Sequence, residues 1–377
     1  MTHRERFNRT LHFQPVDHVP DEEFGYWTDT LTTWHQQGLP KWVDDNAKAD
    51  LFFGFAPRKQ VPVRVGVYPG FIEQILEETD QYRIIVDNIG VKCIVHKNGA
   101  SSIPHYLSFP IQNRTNWEDF RLRLDPNTPG RIPDFKLHLS QWQLRDYPLG
   151  ISVGSLFGWI RNWAGFEGAS LLVYDDPVLF EEIMEQITQV IVQTITPVLE
   201  TVDLDFAAGW EDMCFNHGPI ISPGTFEKYM VPRYKRITSL LSQHGVDRVI
   251  VDCDGDISQL VSLWLESGVN CMFPLEIAAG TNPFKLHDLY GQRVLLLGGV
   301  NKIPLIQGKE TIKREIKRIE PLVREGGYIP HVDHRVPPDV TYQNYLYYLQ
   351  VKRDTFGIPT PLPWAERAEA LVAMRAT

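Results

Sequence analysis

From about residue 145 the chain repeats one rhythm: a short apolar run, a turn, then a longer stretch with apolar residues every three or four positions. The apolar runs are LGISVG (149–154), DFAAGW (205–210), RVIVDCDG (248–255), CMFPLE (271–276), VLLLGGV (294–300) and GYIPHVD (327–333). Helical periodicity follows each except the last. After RVIVDCDG, for instance, Ile257, Leu260, Val261 and Trp264 share one face, and residues 339–355 close the series. Helix starts are legible too. Asp176 before Pro177 and Ser222 before Pro223 each pair a side chain that caps a helix with a proline that needs no amide donor. Strands alternating with helices predict a parallel sheet. A further strand near Val19-Pro20, leading into Asp21-Glu22-Glu23, brings the strands to seven. A (β/α)8 TIM barrel with one weak strand fits this count best. An open doubly wound sheet is the alternative, but no GxGxxG opens a helix, so its dinucleotide-binding version loses support.

The N-terminal third has a different texture. A Trp-rich helical stretch runs from Gly25 to Trp42. Val61, Val63, Val65 and Val67 then alternate with Pro62, Arg64 and Gly66. YRIIVD and VKCIVHK are separated by Asn88-Ile89-Gly90, a hairpin signal. These features predict an antiparallel β insertion over 50–125 within a single domain of 1–377, of the kind that covers a barrel mouth. No internal repeat is evident.

Composition narrows the classes. Hydrophobic residues make up 43% and charged residues 22% of 377 residues, enough for a substantial core. A net charge of -10 argues against a nucleic-acid partner, which requires a basic patch. The N-terminus MTHRERFNRTLHF has no apolar signal region, and no run approaches the ~18 apolar residues of a membrane span, so a cytoplasmic protein is expected. The four cysteines (Cys93, Cys214, Cys253, Cys271) are dispersed without a CxxC pair, as in a reducing compartment.

In a β/α barrel the chemistry gathers at the C-terminal ends of the strands. The polar residues there are Glu22, Glu23, Ser155, Glu211, Asp212, Asp252, Asp254, Glu276, Asn301, His331, Asp333 and His334. Carboxylates converging on one mouth repel one another unless protons or a cation intervene. Residues i and i+2 of an extended strand face the same side, so Asp252 and Asp254 share a face and Cys253 takes the other. Such a pair suits a metal or general acid/base work. Asp254-Gly255 also reads as a turn and Asp256 as a helix cap, but neither accounts for Asp252 directly after Val249-Ile250-Val251. Asp252 and Asp254 are therefore candidate catalytic or metal-ligating residues, with Glu276 a candidate for the mouth and His334 either a hydrogen-bonded filler or a ligand. Glu23, Trp27, Trp210, Asp212, Asn216 and His331 are candidates for substrate contact. Tyr26, Trp27, Trp34, Trp159, Trp163 and Trp210 can line a pocket or simply pack the core. GxSxG, P-loop and HExxH motifs are absent.

These strand ends and several blocks resemble the uroporphyrinogen decarboxylase-like superfamily. The blocks are RERFNRTLHFQPVDHVP, WHQQGLP, FGWIRNWAGFEG, GPIISPGTFEKYMVPRYKRI, VIVDCDG, PLEIAAG and GGYIPHVDHRVP. Together they span nearly the whole chain. The resemblance implies a TIM barrel, often dimeric, and two chemistries. True decarboxylases carry an arginine-rich loop for the porphyrinogen carboxylates. The matching PDEEFGYWTD has no arginine, and its acids repel a polycarboxylate. The cobalamin- and coenzyme M-linked methyltransferases hold zinc with a His-x-Cys strand end, a distant Cys and a nearby Glu. Here Asp252, Asp254, His334 and Glu276 stand at the matching positions, a harder, oxygen-rich set than one that activates thiols. The resemblance thus points to a methyltransferase that moves a methyl group from a methoxylated or methylated small molecule to a corrinoid, with zinc the implied divalent metal. The corrinoid would ride on a partner protein, since no DxHxxG pattern is present. The alternatives are a decarboxylase of a small carboxylated substrate, betrayed by Arg161 or Arg335 in the mouth, and a non-catalytic ligand-binding barrel.

Overall fold

The computed structural model describes residues 1–97, 104–132, 134–135 and 138–368. Its strands, in chain order, are β1 (Lys59–Val61), β2 (Gln74–Glu78), β3 (Tyr82–Val86), β4 (Lys92–His96), β5 (His105–Ser108), β6 (Leu149–Gly154), β7 (Phe206–Trp210), β8 (Cys214–Phe215), β9 (Gly218–Pro219), β10 (Val249–Asp252), β11 (Cys271–Phe273), β12 (Leu295–Val300) and β13 (Tyr328–Val332). Seven of them form one curled parallel sheet in the order β1-β6-β7-β10-β11-β12-β13, which is also their order along the chain. Short apolar strands buried on both faces, joined by helical crossovers, are what the repeating rhythm demands.

The first strand is not where Val19 placed it. Residues 19–24 run extended without a ladder, and β1 takes the edge beside β6 instead. Pro20 has no amide to donate. The acids that follow are held by side chains from elsewhere: Asp21 by Lys352 (3.0 Å) and Arg353 (2.8 Å), and Glu22 by Arg58 (3.3 Å). The segment still lies between the two edges of the sheet. Ala56 donates to the Asp21 carbonyl on one side, and Tyr26 bridges Val336 on the other. Among the described residues no continuous ladder closes the sheet into a full barrel.

Two apolar layers result. Inside the curl, Phe206, Ile250, Cys271, Phe273, Leu295, Leu297 and Ile329 pack with Phe7 and Leu11 of the helix His3–Leu11. That helix stoppers the amino-terminal end of the sheet: Arg248 Nε donates to Leu11 O, and Gly327 N to Thr10 O. Outside, Val249, Val251 and Cys253 join the larger core shared with the helices. Each such side chain contributes about 1.5–3 kcal/mol on burial. The caps form as the sequence indicates: Asp176 accepts from Leu179 N and Ser222 from Thr225 N.

The antiparallel sheet is β2-β3-β4-β5. The hairpin read from YRIIVD and VKCIVHK is β3–β4, and Asp87 shapes its turn by accepting from Ile89 N and Val91 N. The valine alternation does not belong to it. Val61 is in the parallel sheet and Val63–Val67 form no strand. The insertion is keyed to the helix Phe157–Asp175 at Gly165, whose φ of 78° breaks the helix where the Phe109 ring leaves no room for a Cβ. Among the described residues no helix is long and apolar enough to cross a membrane.

Candidate active site

Alternation along β10 decides what enters the curl. Ile250 belongs to the inner layer, so Asp252, two residues on, continues that column at the carboxyl-terminal rim. Its strand neighbours at the same level are Trp210 of β7 and Phe273 of β11. Cys253 faces away, almost fully buried in the outer core and accepting from Met213 N at 3.4 Å. Asp254 follows just past the strand. Asp212 sits just past β7 with a φ of 42°, a left-handed conformation uncommon for a residue with a side chain.

Ligand oxygens of Asp212, Asp252 and Asp254 all lie within 4.8 Å of one another. Burial, and then the charges of Asp212 and Asp254, push the Asp252 carboxyl well above the usual carboxylate range. Burial and Asp254 raise Asp212 as well, with Arg161 opposing. Asp254 Oδ2 lies 3.2 Å from His334 Nε2, while its Oδ1 is buried with no hydrogen-bond partner among the described residues. Three carboxylates and an imidazole, with one buried oxygen unpartnered, are a donor set that fits a divalent cation.

The site differs from the expected one at Glu276. Its carboxylate accepts from Lys302 Nζ at 3.0 Å and from Gly255 N at 3.2 Å, so it is taken up in an ion pair and steadies the loop after β10. Asp212, expected only as a substrate contact, joins the acidic group in its stead. His331 and Glu23 lie beneath the rim rather than on it. His331 is 1% exposed, and burial lowers its pKa to about 3, so the ring is neutral; Nδ1 donates to Val332 O. Glu23 is buried, its oxygens accepting from Phe24 N, Val332 N and Tyr345 Oη. Asn216 stands exposed at the turn between β8 and β9. Trp210 is half-buried, its ring close to Gly158.

An aromatic wall faces the acids. Trp27, 38% exposed, stacks on His334 with centroids 5.4 Å apart, and Phe24 meets the same imidazole edge-on at 5.5 Å. The Arg335 guanidinium lies over both Phe24 (5.4 Å) and Trp27 (5.6 Å). Arg161 donates to the Asp212 carbonyl at 2.6 Å and approaches its carboxylate at 3.4 Å. The other tryptophans named from sequence, Trp34 and Trp163, are core residues, as is Tyr26, and Trp159 stacks on Trp163. Glu211 and Asp333 are structural. Glu211 is buried and accepts from Leu156 N, Gly158 N, Ser155 Oγ and Tyr234 Oη. Asp333, its pKa raised by burial to about 6, accepts from Ile277 N and Lys302 N. Sequence reasoning overlooked Phe24 and Lys302. Each adjoins a residue already singled out, Glu23 and Asn301, and that adjacency was the available signal.

A family model described as uroporphyrinogen decarboxylase (URO-D) matches residues 151–354, more than half of the chain. This chain belongs to the uroporphyrinogen decarboxylase family. No curated protein matches it in sequence. Among solved structures, one titled a methyltransferase from Methanosarcina mazei is similar in fold, with a TM-score of 0.60 at 16% identity, over 94% of this chain and 99% of that one.

Proposed function

We propose that this chain is a methyltransferase that moves a methyl group from a methoxylated or methylated small molecule to a corrinoid held by a partner protein. The observation that carries the reading is the group of Asp212, Asp252 and Asp254 within 4.8 Å, beside His334. By the resemblance of its sequence blocks, Asp252, Asp254 and His334 would take the metal-ligand positions of the methyltransferase branch, and the similar fold of a methyltransferase is in keeping with that branch. Asp212, Asp252, Asp254 and His334 would hold a divalent cation, zinc by resemblance, and a cation bound there supplies Lewis-acid polarisation of a leaving oxygen. The chain's own residues supply the rest. In the cation-free site burial favours the protonated form of Asp252, which can then donate a hydrogen bond to a bound oxygen; with a cation bound the same carboxyl would serve as a ligand and hold no proton. Phe24, Trp27 and Phe273 surround the acids with apolar surface, which thins water and strengthens every charge interaction at the rim. We also infer that residues 19–27 occupy the eighth position of a (β/α)8 barrel, closing it through the Tyr26–Val336 bridge.

Incubation with reduced corrinoid protein and a panel of methoxyaromatic and N-methylated donors tests the reading by the absorbance of methyl-cobalt. Absence of methyl-cobalt across the panel, with metal analysis showing a loaded site, sinks it. A second reading has one observation in its favour. Arg335, over two rings and 3.4 Å from Tyr26 O, makes no close ion pair among the described residues, its charge reaching Asp252 only at longer range, and so suits the carboxylate of a small decarboxylase substrate. Carbon dioxide release from small aromatic acids, abolished in Arg335→Ala, would establish it.

A further inference from the structure

A cavity of about 680 Å³ separates the antiparallel insertion from the helix Phe157–Asp175 and the β8–β9 hairpin. Its volume falls in the range of small-molecule sites, roughly 300–1,000 Å³. Two aromatic pairs line it. Tyr106 and Phe109, 5.6 Å apart, come from the insertion side, and Phe166 and Phe215, also 5.6 Å apart, from the helix and the hairpin. Tyr106 is 50% exposed and Phe166 and Phe215 are each 52% exposed. Three half-bare aromatic rings around one hollow are surface that folding alone does not require.

The charges around the rings select the ligand. Asp87 and Glu167 line the cavity, and the one basic residue among its described lining, Arg161, is already engaged by the carbonyl and carboxylate of Asp212. An anion would meet two carboxylates and a guanidinium that is already occupied. A neutral ligand would use the rings but leave Glu167 idle and the charge of Asp87, whose Oδ1 is held by its own turn amides, unanswered. A cation uses both, because ring faces carry negative charge density and attract ammonium groups whose hydration is weak. We infer that this cavity binds a small organic cation, a methylated ammonium compound with an apolar body, between the two aromatic pairs. Arg161 ties the hollow to Asp212 and hence to the acidic group, so a ligand seated here lies beside the rim. The assignment is of binding alone and stands whether or not the reaction proposed above is correct.

Calorimetric titration of the purified full chain, without corrinoid partner, tests it. The probes are choline against its neutral carbon analogue 3,3-dimethylbutan-1-ol, and benzyltrimethylammonium against benzoate. The ammonium compounds should bind tighter than their counterparts, on the order of 3- to 30-fold. Phe166→Leu with Phe215→Leu, at half-exposed positions, should erase most of that preference, and Glu167→Gln should reduce it, with circular dichroism unchanged. Asp252→Asn should leave it intact. Equal binding of the carbon analogue, a preference for benzoate, or no binding of either ammonium probe to the wild type would overturn the inference. A loss of binding in Asp252→Asn equal to that in the double variant would place the cation at the acidic group and overturn it equally.

Discussion

His334 and Asp254 are joined at 3.2 Å, Nε2 to Oδ2, although they follow strands that β11 and β12 separate, β13 and β10. Asp254 Oδ1 has no partner among the described residues, so His334 provides the side-chain contact that holds this carboxylate in place. If the acidic group holds a cation, His334→Ala should weaken its affinity at least about tenfold, since ligands and the groups that orient them contribute on that scale. Titration with zinc and manganese, followed by calorimetry, checks this. Unchanged affinity would remove His334 from the site.

Glu276 and Asp212 can be told apart by the same measurement. Glu276 is paired with Lys302, whereas Asp212 shares the acidic cluster. Asp212→Asn should therefore lower cation affinity by more than Glu276→Gln does. The reverse order would restore Glu276 as a ligand and displace Asp212.

Asp252 makes stability depend on pH in a defined direction. Its folded pKa is raised above the ordinary 3.8, chiefly by burial. The folded state therefore holds more protons than the unfolded one above that value, and stability falls as pH rises from about 4 toward the folded pKa. In chelator-treated protein, Asp252→Asn should raise the melting temperature at pH 7 and flatten this decline. A wild-type curve that rises steadily from pH 4 to 8, unchanged by the substitution, would contradict it.

His331 acts in the opposite sense. Its folded pKa is lowered to about 3 by burial, so the unfolded chain takes up the extra proton below 6.5. Its contribution is fully present above 6.5 and is lost as pH falls toward about 3, with a slope near 1.4 kcal/mol per pH unit. Denaturant titrations of His331→Gln between pH 4 and 7 should show a shallower acid limb than the wild type.

Gly165→Ala tests how the insertion is attached. A Cβ there would lie 2.4 Å from the Phe109 ring, in a backbone conformation with φ of 78°. The substitution should destabilise the protein by about 2 kcal/mol or more, from backbone strain together with overpacking. A thermal melt within a degree of wild type would show that the insertion can shift freely.

The parallel sheet was legible because its strands are apolar runs with no competing signal. VLLLGGV and GYIPHVD carry their assignment in composition alone. β1 was not, since Lys59-Gln60-Val61 has one buried apolar residue and owes its pairing to β6. Val19-Pro20 misled for the converse reason: an apolar start followed by Asp21, whose partners, Lys352 and Arg353, lie more than three hundred residues away. The site followed the same rule. Period-two alternation placed Asp252 and Asp254 together and turned Cys253 away, a local inference. That Lys302 would claim Glu276, and that Asp212 would turn in on a left-handed residue, depend on loop geometry that no spacing encodes.

The helix His3–Leu11 closes the amino-terminal end of the curl and leaves the carboxyl-terminal rim, where the Asp254 side chain is part-exposed, as its open face. Phe7 and Leu11 fill the amino-terminal end, so molecules reaching Asp252 arrive and depart across the same rim. Traffic there is one-lane: a bulky protein seated on the rim would hold in whatever small molecule had entered before it, and turn away any that came after.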